Sequence, residues 1–395
     1  AFYPVLSEHR AIGIHPLVCP PFNADFDGDT MSVHVPVTPE GILEAAVLML
    51  APHNILSPAH GKPLMVPSQD IVAGIYYITK TKPGEPKPAG SFDDFHTVRS
   101  AFDLNEFDLH EWINFRYQGK LILTTVGRVL FNAVLPEGLR FVNDTVPKEK
   151  LVGLIDRCAR TLGLDVTVKL LDDLKDLGFE MATKSGLSIG MDDVVVPKEK
   201  QKILERSDEE VRKVQKAYDR GLMTESEKYN KIVNIWTLAT AEVEEALMER
   251  LRQDQDGFNP VFMLIDSGAR GSRTQAAQLG GMRGLMAKPQ RRTVGEEVIE
   301  TPIKSSFREG LSVWEYFIST HGARKGLTDT ALKTAEAGYL TRRLVDVAQD
   351  VVITMEDCGT IVGQEVTALR EGTDIIEPLN ERIAGRFALD DIVNP

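Results

Sequence analysis

Apolar residues recur along this chain in several distinct rhythms, and each predicts a different element. Near the N-terminus Met31, Val33 and Val35 alternate with Ser32 and His34 and stop at Pro36, which predicts a strand with one apolar face. GILEAAVLML (41–50) reads as a short buried helix. From Ala51 to Pro88 the chain is studded with Pro and Gly, predicting loops and short strands. Residues 92–190 predict mixed α/β structure with several short elements and no clear motif.

From Pro197 the period becomes helical. Val211, Val214 and Tyr218 form one apolar stripe; Tyr229, Ile232, Val233, Trp236, Val243 and Leu247 form another. Ser207–Glu210 and Thr224–Glu227 both fit the capping box, and Gly221 lies between the stripes. The prediction is an antiparallel helical hairpin whose second arm runs about 25 residues, roughly 40 Å. It reads either as an ordinary surface hairpin or as a projecting arm of the kind used for docking. Residues 312–350 then form one proline-free, helix-compatible run about 55 Å long. Gly322, Gly326 and Gly338 within it each cost about 1 kcal/mol relative to alanine, so bending or close contact fits better than a plain strut.

Composition narrows the class. The 395 residues are 43% apolar and 26% charged, ordinary for globular chains, and the length predicts two or three compact units. The expected fold is mixed α+β and multidomain. No apolar run approaches the roughly 20 residues of a membrane helix. Cys19, Cys158 and Cys358 give no disulfide framework, which predicts a reducing, cytoplasmic setting. The chain starts at Ala1 without Met and stops at Pro395, and is expected to be an excised piece of a longer polypeptide. A net charge of −13 argues against a nucleic-acid binder, but the distribution is uneven. Ser267–Arg343 holds thirteen Lys/Arg against seven Asp/Glu, a local +6 that could face phosphates. Inside it, SGARGSRTQAAQLGGMRGLMAKPQRR (267–292) reads equally as a phosphate-gripping segment and as a flexible polar loop.

The sharpest chemistry is FNADFDGDTM (22–31), with aspartates at 25, 27 and 29. A calcium EF-hand fails, because position 6 counted from Asp25 is Thr30, position 12 is Pro36, and the flanks are strand-like. A catalytic Mg²⁺ site fits better. Alternate aspartates on a sharp loop can converge on one ion, with Gly28 relieving the crowded backbone, and leave positions for a hydroxyl and a phosphate. By spacing alone, a metal site and a merely acidic loop stay open in equal measure.

HPLVCPPFNADFDGDTMSVHVP (15–36) resembles the active-site signature of the largest subunit of multisubunit DNA-dependent RNA polymerase, the bacterial β′ family in particular. NILSPAHGKPLMVPSQD (54–70), DSGARGS (266–272), GMRGLMAKP (281–289), FREGL (307–311) and the run from Tyr316 to Asp350 resemble segments of that family in the same order. The resemblance implies a part of a β-barrel active-site domain (1–50), an α/β pore region (51–195), a rim hairpin (196–265), a loop supporting a bridge helix (266–311), the bridge helix (312–350) and the start of a downstream cleft region (351–395). It implies that Asp25, Asp27 and Asp29 hold a catalytic Mg²⁺, with a second ion arriving with the nucleotide. Asn23 would contact the ribose and Arg270 the triphosphate. Thr334 and Ala335 would lie under the nascent base pair, Arg324 and Arg342 near nucleic-acid phosphates, and Arg283 in the loop supporting the bridge helix. The implied partners are the β, α, ω and sigma subunits, DNA, RNA, nucleoside triphosphates, and regulatory and transcript-cleavage factors at the rim. No membrane is implied, and the setting is the nucleoid-associated cytoplasm.

The family's trigger loop, clamp and zinc ribbon are expected to lie outside this chain. Cys358 is expected to be an orphan ligand of a zinc site, so no zinc is predicted; QRRTVGEE (290–297) is assigned only a surface loop. Mg²⁺ is expected to bind weakly without substrate phosphate. Two rival readings remain: a stand-alone Mg²⁺-dependent phosphohydrolase or nuclease, and a non-catalytic module that docks factors through the hairpin.

Overall fold

The computed structural model describes residues 1–288, 298–371 and 374–389. The chain divides into two compact units, one of Ala1–Leu56 with Pro63–Lys325, the other of Ser57–Lys62 with the described part of Gly326–Pro395. The predicted loop at 290–297 lies outside the described residues.

The first unit opens with two short helices, α1 (Cys19–Phe22) and α2 (Pro39–Val47). The predicted strand at 31–35 does not form: these residues join no ladder, and Val33 and Val35 are 78% and 70% exposed. Alternation fixes which side chains share a face, but a strand also needs a partner for its N–H and C=O groups. None of the described residues supplies one, and the expected barrel segment is therefore unpaired. The helix predicted at 41–50 is present as α2, but none of its residues is buried.

The core begins at α3 (Gln69–Thr79), where loops and short strands were predicted. Its run of apolar, often β-branched residues is equally compatible with a buried strand, and burial on all sides removes the helical period that would have separated the two. Eight of its eleven residues are buried. A Cβ on Gly74 would lie 2.1 Å from the carbonyl oxygen of Gly178, so the backbones of α3 and α7 (Leu164–Ser185) touch directly.

Around this crossing lie β1 (Ser91–Phe92), α4 (Phe95–Asp103), β2 (Trp112–Tyr117), β3 (Lys120–Thr125), α5 (Val126–Val134) and α6 (Lys148–Thr161), the mixed α/β structure predicted for this stretch. β1 runs parallel to β2, and β2 antiparallel to β3 in the register Trp112↔Thr125 to Tyr117↔Lys120. Gln118 and Gly119 both have positive φ (48° and 79°), as a tight two-residue hairpin turn requires.

The predicted helical hairpin is α8 (Lys200–Asp219) and α9 (Glu225–Gln253), joined through Gly221 at φ +70°. Tyr229, Ile232, Trp236, Val243 and Leu247 are all buried, with Ile232, Trp236 and Val243 in one cluster with Leu204 of α8 and Leu247 in another with Phe262 and Ala277. The Thr224 capping box forms as predicted: Thr224 N–H donates to Glu227 Oε2 at 2.8 Å and Glu227 N–H to Thr224 Oγ1 at 3.3 Å. The Ser207 box does not form. α8 already starts at Lys200, which leaves Ser207 mid-helix with its hydroxyl donating to the Ile203 carbonyl.

α10 (Pro260–Asp266) and α11 (Arg273–Gly280) follow, and then the predicted long helix, α12 (Val313–Ala348), as one element of 36 residues, about 54 Å. Only Ser319 in it is buried. A Cβ on Gly322 would meet nothing nearer than Met286 Sδ at 3.9 Å, and Gly326 and Gly338 face open space. Among the described residues these glycines make no close contact. In the second unit the hairpin of β4 (Leu369–Glu371) and β5 (Asp374–Glu377) precedes α13 (Leu379–Ile383). No described helix is long and apolar enough to cross a membrane.

Candidate active site

The loop carrying the three aspartates starts where α1 ends. Asn23 takes the left-handed conformation (φ 48°, ψ 42°) and caps α1 with its backbone N–H, which turns the chain out of the helix. Five residues later Gly28 adopts φ +125°, a region that side-chain-bearing residues rarely enter. Between and beside these two turns, Asp25, Asp27 and Asp29 bring one carboxylate oxygen each to within 4.8 Å of the others. The Asp25 N–H also donates to Asp29 Oδ2 at 3.3 Å. The predicted convergence of the three carboxylates is present, but Gly28 relieves no crowding: a Cβ there would meet open space, and the glycine serves the loop through its positive φ.

Electrostatics identify what such a loop needs. The Asp27 carboxyl is pushed up from its ordinary value, first by a hydrogen bond with the Asp25 side chain and then by the Asp25 charge. Crowded carboxylates either share a proton or share a cation. An all-oxygen donor set suits a hard divalent ion, and the exposure of all three residues leaves room for water and phosphate oxygens. The residues present therefore fit Mg²⁺. Asn23 is exposed beside them at the loop's entrance.

Arg270 stands on a separate turn, which is ordered rather than a loose polar loop. Asn259 caps α10 through its side-chain oxygen, accepting from Val261 and Phe262 N–H groups. After Asp266 the chain reverses through Gly268 (φ +73°) and Gly271 (φ +83°). The buried Ser267 accepts from Ala269 N–H, Arg270 N–H donates to Leu264 O at 3.2 Å, and Ser272 and Gln275 form the capping box of α11. The Arg270 guanidinium donates through Nη2 to Gln69 Oε1 at 2.9 Å. Beneath it the Tyr76 hydroxyl donates to Asp266 Oδ2 at 2.5 Å and receives Lys80 Nζ at 3.1 Å. Burial and the Asp266 carboxylate push the Tyr76 phenol up, keeping it a donor, while burial pulls Lys80 down.

On α12, Arg324, Thr334, Ala335 and Arg342 are exposed. The Thr334 hydroxyl donates to the Thr330 carbonyl one turn back, and Arg342 approaches Asp346 at 4.0 Å. Arg283 donates its backbone N–H to Ser305 O and lays its guanidinium 5.0 Å from the Phe307 ring centre. Cys358 is an exposed free thiol. The structure therefore gathers the three aspartates, pairs Arg270 with Gln69, and places Thr334, Ala335 and Arg342 in the second unit. Gln69, Tyr76 and Asp266 were missed as functional candidates. Gln69 and Asp266 lie within segments that carry the family resemblance, but contacts 201 and 190 positions apart leave no local signal.

Four models of the RNA polymerase Rpb1 family match in order: domain 2 over residues 1–51, domain 3 over 54–194, domain 4 over 223–308 and domain 5 over 310–394. The chain is 53% identical over 408 residues to the DNA-directed RNA polymerase subunit beta' of Syntrophobacter fumaroxidans, with all of this chain and 30% of that protein covered. It is 49% identical to the subunit of the same name from Salinibacter ruber, and 52% identical to that of Pelotomaculum thermopropionicum, again along the whole chain. The chain belongs to the RNA polymerase β′ family. It spans about 30% of the length of the curated β′ relatives it matches. Within the β′ family match, the aspartate loop falls in Rpb1 domain 2, Arg270 in domain 4 and α12 in domain 5.

Proposed function

We propose that this chain carries the catalytic core of a bacterial DNA-directed RNA polymerase β′ subunit, and that it supports Mg²⁺-dependent, templated nucleotidyl transfer only within the assembled enzyme. The observation that carries this reading is the convergence of Asp25, Asp27 and Asp29 within 4.8 Å, inside a chain matched from end to end by the β′ family. In the reaction the RNA 3′-hydroxyl attacks the α-phosphorus of a nucleoside triphosphate, the P–O bond to the β-phosphate breaks, and pyrophosphate leaves. Mg²⁺ held by Asp25, Asp27 and Asp29, with a second ion on the nucleotide, would supply charge neutralisation at the attacking and leaving oxygens.

The protein's own residues hold and orient. The three aspartates present their oxygens to the cation, and the polar Asn23 at the loop's entrance meets the ribose. Arg270 offers a forked donor set to the triphosphate, and Arg324 and Arg342 offer positive charge to nucleic-acid phosphates. Thr334 spends its hydroxyl on its own helix, so with Ala335 it gives a small surface on which a base pair can rest. α12 would then be the bridge helix, α8–α9 the rim hairpin where regulatory and cleavage factors dock, and 31–35 a strand completed by chain outside this segment. The β, α, ω and sigma subunits, template DNA and RNA are the partners of this reading, and the nucleoid-associated cytoplasm its setting.

The test is template-directed RNA extension by reassembled polymerase with full-length β′ carrying Asp27→Asn. At equal assembly, nucleotide addition should fall at least about 100-fold. Unchanged extension would make the aspartates structural and end this reading.

A further inference from the structure

Arg270 is exposed on its turn, and a free arginine side chain there would sample many rotamers, which weakens any role in gripping an anion. Its guanidinium is instead held by one side chain, the amide oxygen of Gln69 at 2.9 Å. The acceptor's chemistry matters. A carboxylate would orient the guanidinium equally well but cancel its charge, whereas a neutral amide takes one N–H and leaves four donors and the whole positive charge available.

Two further observations concern the same pair. Gln69 has φ +49°, an uncommon left-handed conformation for a residue with a side chain, of the strained kind that surrounding structure must hold in place. Two turns along the same helix, Tyr76 donates to Asp266, four residues before Arg270. α3 thus holds the Asp266–Ser272 turn at two points, by Tyr76 at Asp266 and by Gln69 at Arg270.

We propose that Gln69 is a positioning residue that aims the Arg270 guanidinium at the phosphates of the incoming nucleoside triphosphate. The proposal rests on the reading that Arg270 meets the triphosphate. Single-nucleotide addition by reassembled polymerase with full-length β′ tests it, with KM for the nucleotide and kcat measured separately. The variants are Gln69→Met, which keeps the length and loses the acceptor, Gln69→Gly, which also relieves the left-handed backbone, Arg270→Ala, and Gln69→Met combined with Arg270→Ala.

Both Gln69 variants should raise KM about threefold, the size of one partly exposed hydrogen bond to a charged group, with kcat nearly unchanged. In the Arg270→Ala background Gln69→Met should add nothing. An equal rise in both backgrounds would mean that Gln69 acts by another route and would overturn the proposal. So would an unchanged KM for Gln69→Met where Arg270→Ala raises it, and there the reading of Arg270 would stand. An unchanged KM for Arg270→Ala would remove that reading and the proposal together.

Discussion

A single backbone angle sets the geometry of the aspartate loop. Gly28 lies between Asp27 and Asp29 at φ +125°, and a Cβ built there meets no atom within 4 Å. Space is therefore not what forbids a side chain; the backbone conformation is. Gly28→Ala should retain all three carboxylates yet force the loop toward negative φ, parting Asp27 from Asp29. A displacement of about 1 Å at a reacting centre can cost on the order of 100-fold in rate, so nucleotide addition by reassembled polymerase should drop by roughly that factor at equal assembly. Wild-type rates for Gly28→Ala would show that the loop tolerates another path. The three aspartates were legible because everything that gathers them is local: a capped helix end, alternate spacing and one glycine within seven residues. The pairing of Arg270 with Gln69 was not legible, because it depends on how α3 packs against α10 and the turn after it.

Elements follow the same division. The α8–α9 hairpin was legible from a local period and a capping box, whereas α3 was not, because a helix buried all round loses its polar face. The strand at 31–35 had the right alternation and no partner. How the hairpin is rooted was also invisible in sequence. Lys200, at the first turn of α8, is 5% exposed and bonds Glu309, which also accepts from Ser306 N–H at 3.0 Å and Ser306 Oγ at 2.8 Å. Burial pushes the Glu309 carboxyl up, but the Lys200 ammonium and the Ser306 donors outweigh it and hold the group below its ordinary value. A depressed carboxylate stabilises the fold above its unfolded pKa, and that contribution is lost as pH falls through the folded value. Glu309→Gln should therefore cost about 1–2 kcal/mol at pH 7, the lower part of the range because water reaches Glu309. Denaturant unfolding followed by tryptophan fluorescence should show the gap from wild type closing as pH falls below the ordinary glutamate range. A gap that is constant with pH would assign the effect to packing rather than to the ion pair.

At the scale of the whole molecule, burial is very unevenly spread. The main apolar core draws on residues from Leu17 to Met181, and two further clusters join the hairpin to the turns around it. By contrast Leu6, Val35, Leu43 and Val47 are 102%, 70%, 64% and 56% exposed, as are most apolar residues from Val351 to Val362. Exposed apolar side chains in such density mark surfaces that something else covers. The β′ relatives are about three times longer than this chain, so chain to cover them exists in the family. Arg10 lies in the first of these regions and Arg370 near the second, both exposed, whereas Arg128 is 7% exposed with its Nε donating to the Thr79 carbonyl. Limited trypsin digestion of the isolated chain, read by mass spectrometry, should cut first at Arg10 and Arg370 and spare Arg128. In assembled polymerase the cut at Arg10 should slow at least about tenfold, because cleavage requires the segment to be free of its partners. Equal cleavage at Arg10 in both states would mean that the N-terminal apolar residues stay uncovered in the enzyme. The reading that assembly covers the apolar residues around Arg10 would then fail, while the reading of the aspartate loop would rest, as before, on nucleotide addition.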